Sequence, residues 1–283
     1  MGAVRGDGVV DGLGRTWTIF REGDGRPVVF VHGGPGLNDY GSLLTSETAG
    51  WQLIHYQQRG LPPAPTVEPF TLEQHLEDLL SVLDCAGLER AVLMGHSWGA
   101  SLSLFAAIAV PHRVTALVLV DPLGTAGDGG ARHMNQTLTE RLLPENRARA
   151  DQVDERLAGP DATDDDGTEY LALRWPGYFA DPRQAPPLPP GFRLSLTANG
   201  QTMASLFGHI TAGTFAQGLP HVEIPVEFVL GEYSPIPHDG AFETATVLPR
   251  SHLTVVPQAG HLPWHEQPGC VADALARVLV AKN

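Results

Sequence analysis

Apolar residues recur along this chain in two rhythms, short strand-like runs and longer stripes at helical spacing, and both lapse between about residues 124 and 219 before returning. Arg15-Thr16-Trp17-Thr18-Ile19-Phe20 alternates polar and apolar positions like an antiparallel edge strand, and Glu22-Gly23-Asp24-Gly25 follows as a turn. Residues 27–31, 51–56, 90–94 and 114–120 are short, largely apolar runs of the kind buried in a parallel sheet. Between them, residues 71–86 place Leu72, Leu76, Leu79, Leu80 and Leu83 on one helical face, with Thr71 and Gln74 spaced as a capping box and Gly87 as the stop. Residues 98–110 read as a second helix. After the gap come a strand at 226–231, a helix from about Gly240, a strand at 252–256 and a closing amphipathic helix to Val280. Strand and helix in alternation imply right-handed crossovers and an α/β fold: a doubly wound, mostly parallel sheet with sites at the carboxyl ends of its strands.

The interruption reads as an insertion. A core from residues 1–123 and 220–283 is expected to carry a mainly helical cap at 124–219. That segment holds a helical stretch at 135–143, the acidic run Asp161, Asp164, Asp165, Asp166 and Glu169, and Trp175-Pro176-Gly177-Tyr178. A proline run, Pro186-Pro187-Leu188-Pro189-Pro190, follows. The acidic run lacks calcium-loop spacing and is expected to be a solvated loop. Trp175, Tyr178, Phe179, Met203, Leu206 and Phe207, together with His32 from the core, are the candidate lining of a substrate pocket.

Composition narrows the partners. At 283 residues and 42% hydrophobic content, the chain supports one large core. Eighteen Lys and Arg against 32 Asp and Glu leave a net charge of −14, which disfavours nucleic acid and anionic membrane as partners and leaves a small-molecule substrate. Cys85 and Cys270 have no metal or C-x-x-C spacing, the first 17 residues show no apolar leader core, and no run approaches a membrane span. A soluble, cytoplasmic protein is expected.

Chemistry concentrates where strands end. Gly95-His96-Ser97-Trp98-Gly99 joins an apolar strand to a helix, the setting of a nucleophile elbow. Small residues at 95 and 99 let the two arms pass and expose Ser97 Oγ at the sheet edge. Trp98 N–H then opens the helix, where a positive partial charge favours an oxyanion. His32-Gly33-Gly34-Pro35-Gly36 follows the 27–31 strand, and Gly34 N–H is the candidate second oxyanion donor. His261 lies behind glycine in the loop after the last strand, where it can serve Ser97 as general base; His96 and His265 are placed less well.

Taken together, HGGPG at 32–36, QRG at 58–60, GHSWGA at 95–100 and GHLPWHEQPG at 260–269 resemble the α/β-hydrolase fold, and within it the proline-iminopeptidase-like branch. The resemblance implies a serine hydrolase with Ser97 as nucleophile, His261 as base, an oxyanion hole from Gly34 and Trp98, and no metal or organic cofactor. Two departures weaken the narrower likeness. Proline iminopeptidases carry Asp in a G-x-x-D pattern after the seventh strand, where this chain has Gly231-Glu232-Tyr233-Ser234. They also hold a substrate amine with cap carboxylates near a W-x-x-W-E motif, of which only Arg174-Trp175-Pro176-Gly177-Tyr178 is found. An ester, lactone or small amide with uncharged, fairly apolar parts is therefore expected as substrate. A proline iminopeptidase and a non-hydrolytic binding or biosynthetic protein are the alternatives. With Ser234 in the acid's place, the third triad member is expected to be Asp121, at the end of the 114–120 strand beside the nucleophile, with Glu232 and Asp239 as alternatives.

Overall fold

The computed structural model of the chain describes residues 6–10 and 14–280; residues 1–5 and 11–13 of the N-terminal stretch read above for a leader lie outside them. Eight strands form one sheet: β1 (Gly6–Val10), β2 (Thr16–Glu22), β3 (Arg26–Val31), β4 (Trp51–Tyr56), β5 (Ala91–His96), β6 (Val114–Val120), β7 (Val226–Gly231) and β8 (Ser251–Val256). Their order is β1-β2-β4-β3-β5-β6-β7-β8, antiparallel where β2 meets β1 and β4, and parallel elsewhere. The alternating strand at 15–20 is therefore not an edge: β1 pairs along its outer side, register Val9↔Trp17. Period 2 reports that a strand has two unlike faces and says nothing about its lateral neighbours.

Successive side chains of the central strands enter opposite cores. Val29, Leu93, Leu117 and Phe228 join the helices α1 (Leu72–Cys85) and α2 (Trp98–Ala109) on one face. Val28, Val92, Val118 and Val229 join the closing helix on the other. Each buried apolar side chain contributes about 1.5–3 kcal/mol, and the wholly buried β5 and β7 need both faces covered. Thr71 caps α1 by accepting from Gln74 N–H at 3.3 Å. The box is only half made, because the Gln74 side chain bonds Glu77 at 3.0 Å instead.

Between β6 and β7 run α3 (Ala131–Glu140), α4 (Arg147–Leu157), α5 (Asp164–Arg174), α6 (Leu196–Thr211) and α7 (Thr214–Gly218). The acidic run is not a loop: Asp164, Asp165 and Asp166 form the first turn of α5. Thr163 and Asp166 close a reciprocal cap, and acidic side chains at a helix N-terminus complement its dipole. Arg156 bridges from α4 to Asp166 and Glu169 at 2.5 and 2.8 Å. After β7 come α8 (Asp239–Val247), then β8, the short α9 (Pro263–Glu266) and α10 (Cys270–Val280). Among the described residues, no helix is long and apolar enough to cross a membrane.

Candidate active site

The chain leaves β3 toward β4 on one side and reaches β5 on the other, so the strand order reverses between β3 and β5. Loops after these two strands diverge, and the crevice between them is where a ligand fits on a doubly wound sheet. Ser97 sits at this point with φ 53° and ψ −121°, a left-handed backbone that costs on the order of 1–3 kcal/mol in a non-glycine residue. Its N–H is held by Val120 O at 2.9 Å, and its carbonyl accepts from Ala100 N–H at 3.0 Å. The crossing requires glycine on both arms: a Cβ at Gly99 would stand 1.9 Å from Val31 O, and one at Gly95 2.4 Å from Gly99 O.

The β5–β6 register pairs His96 with Val120, which sets Ser97 and Asp121 side by side at the sheet's carboxyl edge. Asp121, buried and at φ 46°, turns its carboxylate toward the loop after β8. Its Oδ2 lies 2.5 Å from His261 Nδ1. Ser234 Oγ donates to the same oxygen at 2.5 Å, and Gly231 N–H donates to Oδ1 at 3.3 Å. Nδ1 of His261 thus carries a proton, and Nε2 is the free acceptor of a ring that lines the same cavity as Ser97. The alternative acids stand elsewhere: Glu232 accepts from Gln258 N–H at 2.9 Å, and Asp239 begins α8. Ser234, in the place of the expected G-x-x-D acid, is a hydrogen-bond donor to Asp121, a role that its sequence position did not reveal.

The glycine loop is held from several sides. His32 Nδ1 donates to Gly33 O at 2.9 Å, and Gly33 N–H donates to Tyr40 Oη at 2.6 Å. Across a trans peptide, N–H and C=O point oppositely, so Gly34 N–H is directed away from His32, and Gly34 lines the cavity. Gln58 ties this loop to the elbow, its amide donating to His32 O at 2.8 Å and its carbonyl accepting from Trp98 Nε1 at 2.9 Å. Arg59 of the same QRG motif turns away into a buried pair with Asp78, at 2.5 and 2.9 Å.

A cavity of about 360 Å³ opens onto Ser97, Trp98, Gly34 and His261. Trp175, Tyr178, Met203 and Phe207 are among its lining residues. His32 and Phe179 are not. His32 is fully buried behind the glycine loop, where desolvation holds it below the usual histidine range, and its two ring nitrogens are engaged by Gly33 O and Gln58 N–H. Phe179 packs against Trp175 at 5.2 Å between ring centroids and against His265 at 5.6 Å. Leu206 is buried in the core that α1 and α2 cover and does not line the cavity. Among the described residues, no Asp or Glu side chain lines the cavity. Among the described residues, no cluster of three or more His, Cys, Asp or Glu is arranged to hold a metal ion.

The segment between β6 and β7 is bonded to the loops after β3 and β8. Ser195 N–H donates to Gly36 O at 2.9 Å, and Asn199 Nδ2 donates to Pro35 O at 2.9 Å. His261 N–H donates to Tyr178 O at 2.7 Å, and the Glu266 carboxylate accepts from Ala180 N–H at 2.9 Å and Gly260 N–H at 2.6 Å.

Residues 28–274 match the model of a family described as the alpha/beta hydrolase family. A probable proline iminopeptidase from Leptolyngbya boryana is 27% identical over 84% of this chain and 82% of its own length. An epoxide hydrolase 2 from Siraitia grosvenorii is 34% identical over 34% of this chain, and the match spans only 32% of that enzyme. Among solved structures, VinJ superposes with a TM-score of 0.71 over 98% of each chain at 20% identity, a likeness of fold.

Proposed function

This chain belongs to the alpha/beta hydrolase family, and from that membership we propose that it is a serine hydrolase cleaving an ester, lactone or small amide with uncharged, apolar parts. The observation that carries the reading is the buried Asp121–His261 pair, whose free Nε2 belongs to the same cavity wall as the strained Ser97. His261 takes the proton of Ser97 as Oγ attacks the substrate carbonyl. The oxyanion so formed is stabilised by Gly34 N–H and Trp98 N–H, two fixed donors. The leaving group collects the proton from His261 Nε2, and water repeats the sequence on the acyl-enzyme. Asp121 keeps the imidazole in the tautomer that can accept, and it stabilises the imidazolium. Residues 124–219 act as a cap that shapes the apolar part of the cavity.

The overall likeness to proline iminopeptidases favours a second reading, removal of an N-terminal residue. Against it stands the cavity wall, whose described residues offer no carboxylate to a substrate ammonium; burying such a charge unpaired costs several kcal/mol. The test is labelling by a fluorophosphonate, followed by turnover of p-nitrophenyl esters of increasing acyl length, a lactone and proline p-nitroanilide. Labelling at Ser97 with esters preferred to the anilide is expected. A folded protein that resists the probe refutes the hydrolase mechanism, and preference for the anilide refutes the substrate class.

A further inference from the structure

A chain of hydrogen bonds runs beside the candidate oxyanion hole and involves two residues of the cavity wall, Tyr40 and His96, with no part in the chemistry above. Gly33 N–H donates to Tyr40 Oη at 2.6 Å, Tyr40 Oη lies 2.5 Å from His96 Nδ1, and His96 Nε2 lies 2.8 Å from the carbonyl oxygen of His261. A carbonyl can only accept, so His96 carries its proton on Nε2. In a neutral ring Nδ1 is then an acceptor, the Tyr40 hydroxyl proton points to it, and a hydroxyl lone pair is left for Gly33. Every donor in the chain meets an acceptor.

We propose that Tyr40 and His96 form a positioning pair that holds the oxyanion loop and the histidine loop in register with Ser97. The proposal rests on the serine-hydrolase reading for its effect on rate. At one end the pair fixes Gly33: its N–H is committed to Tyr40 and its C=O to His32, so the peptide that presents Gly34 N–H to the cavity cannot rotate. At the other end it fixes the His261 carbonyl, one residue bond from the ring that must meet Ser97. His96 precedes Ser97 in the chain, so all three loops are referred to the nucleophile itself.

The surroundings favour the neutral ring that this arrangement needs. His96 and Tyr40 are both buried. Desolvation, reinforced by His261 and His32, holds His96 well below the usual histidine range, and desolvation raises the Tyr40 hydroxyl above its own. The groups facing His96 are the His261 ring at 4.5 Å between centroids, the Trp264 edge at 4.9 Å and Tyr40; none is an acid that would stabilise a cation. A neutral His96 also adds no second positive charge when His261 is protonated during turnover.

Two measurements test the pair in the full-length protein. In 15N-resolved NMR of the wild type, His96 is expected to stay neutral with its proton on Nε2 from about pH 5 to about pH 9, and Tyr40→Phe should move its nitrogen shifts. In ester hydrolysis, Tyr40→Phe should lower kcat about tenfold or more with KM within about twofold, because a misaligned oxyanion donor acts only in the transition state. Fluorophosphonate labelling should slow in parallel. A wild-type His96 that titrates in this range, or carries its proton on Nδ1, overturns the hydrogen-bond chain whatever the protein hydrolyses. If the wild type turns over esters and folded Tyr40→Phe keeps kcat, the positioning role is refuted. A wild type with the expected NMR signature but no labelling contradicts the serine-hydrolase reading and with it the effect on rate, while the structural pair stands.

Discussion

Replacing Asp121 with asparagine removes one charge from a site where little else changes, because the side chain is buried and does not line the cavity. The carboxylate accepts from His261 Nδ1 and Ser234 Oγ on one oxygen and from Gly231 N–H on the other. An asparagine has two ways to sit there. With its oxygen in the place of Oδ2, His261 keeps an acceptor, but the new NH2 meets Gly231 N–H donor to donor. The imidazolium also loses its counter-charge, and opposite unit charges about 4 Å apart at an effective dielectric of about 20 attract by about 4 kcal/mol. With its NH2 toward His261, the ring must move its proton to Nε2, the nitrogen that has to receive the proton of Ser97. In other serine hydrolases that tautomer error costs about 10⁴ in kcat. Asp121→Asn is therefore expected to lower kcat by about 10² to 10⁴, or about 2.7–5.4 kcal/mol, with KM nearly unchanged. Steady-state hydrolysis of a p-nitrophenyl ester measures it, with circular dichroism as the check on folding. Ser234→Asp in the Asp121→Asn background should recover part of the loss, since Ser234 Oγ lies 2.5 Å from the oxygen that matters. A folded Asp121→Asn with kcat within about threefold of wild type refutes the assignment, the more so if Glu232→Gln is slow.

His261→Ala and Ser97→Ala should each reduce kcat by several orders of magnitude, and their double variant should be little worse than either, because nucleophile and base act as a unit; additive losses in a double-mutant cycle would contradict this. Trp175 is buried, packs on Phe179 and donates Nε1 to Pro186 O at 2.8 Å while also lining the cavity. Trp175→Ala should accordingly lose about 3–5 kcal/mol in urea unfolding and also shift preference toward longer acyl chains, and failure of either effect counts against this dual placement. His75 is held at about 3 by burial, then by Arg59 and His32, and its Nε2 lies 3.0 Å from Thr202 Oγ1. The unfolded chain takes up a proton near pH 6.5 that the folded one refuses until about pH 3, so stability is lost as the pH drops through that window, by up to about 1.4 kcal/mol per pH unit. Urea unfolding at about pH 7 and about pH 5 should show a shallower slope in His75→Gln than in wild type, and equal slopes would refute the reasoning.

Local pattern carried a large part of this molecule. The β5–elbow–α2 unit is encoded within about a dozen residues, since an apolar run, two glycines that must be side-chain-free and an apolar helix lie in succession, and no distant partner is needed to read them. The same holds for the glycine loop after β3 and for the parallel core, whose strands announce burial on both faces. Contacts between residues far apart in sequence were less visible. Asp121 could be chosen because strand adjacency follows from crossover order, but Ser234 as its donor depends on where the loop after β7 folds back, 113 residues on. Tyr40 left no trace in the pattern, because it lies in an irregular stretch, and its partner His96 is 56 residues away. Residue type and neighbourhood point His32 and Phe179 to the pocket, yet a side chain's direction is fixed by packing, which turns one behind the glycine loop and the other onto Trp175. The acidic run reads as a loop because its charges suggest solvent, whereas a Thr163 cap and Arg149 and Arg156 from the preceding helix make the same charges stabilise a helix start. Periodicity and steric necessity act over a few residues and survive in the bare sequence. Register, side-chain direction and proton placement arise when distant segments meet, because only there do donors find acceptors and apolar faces find cover.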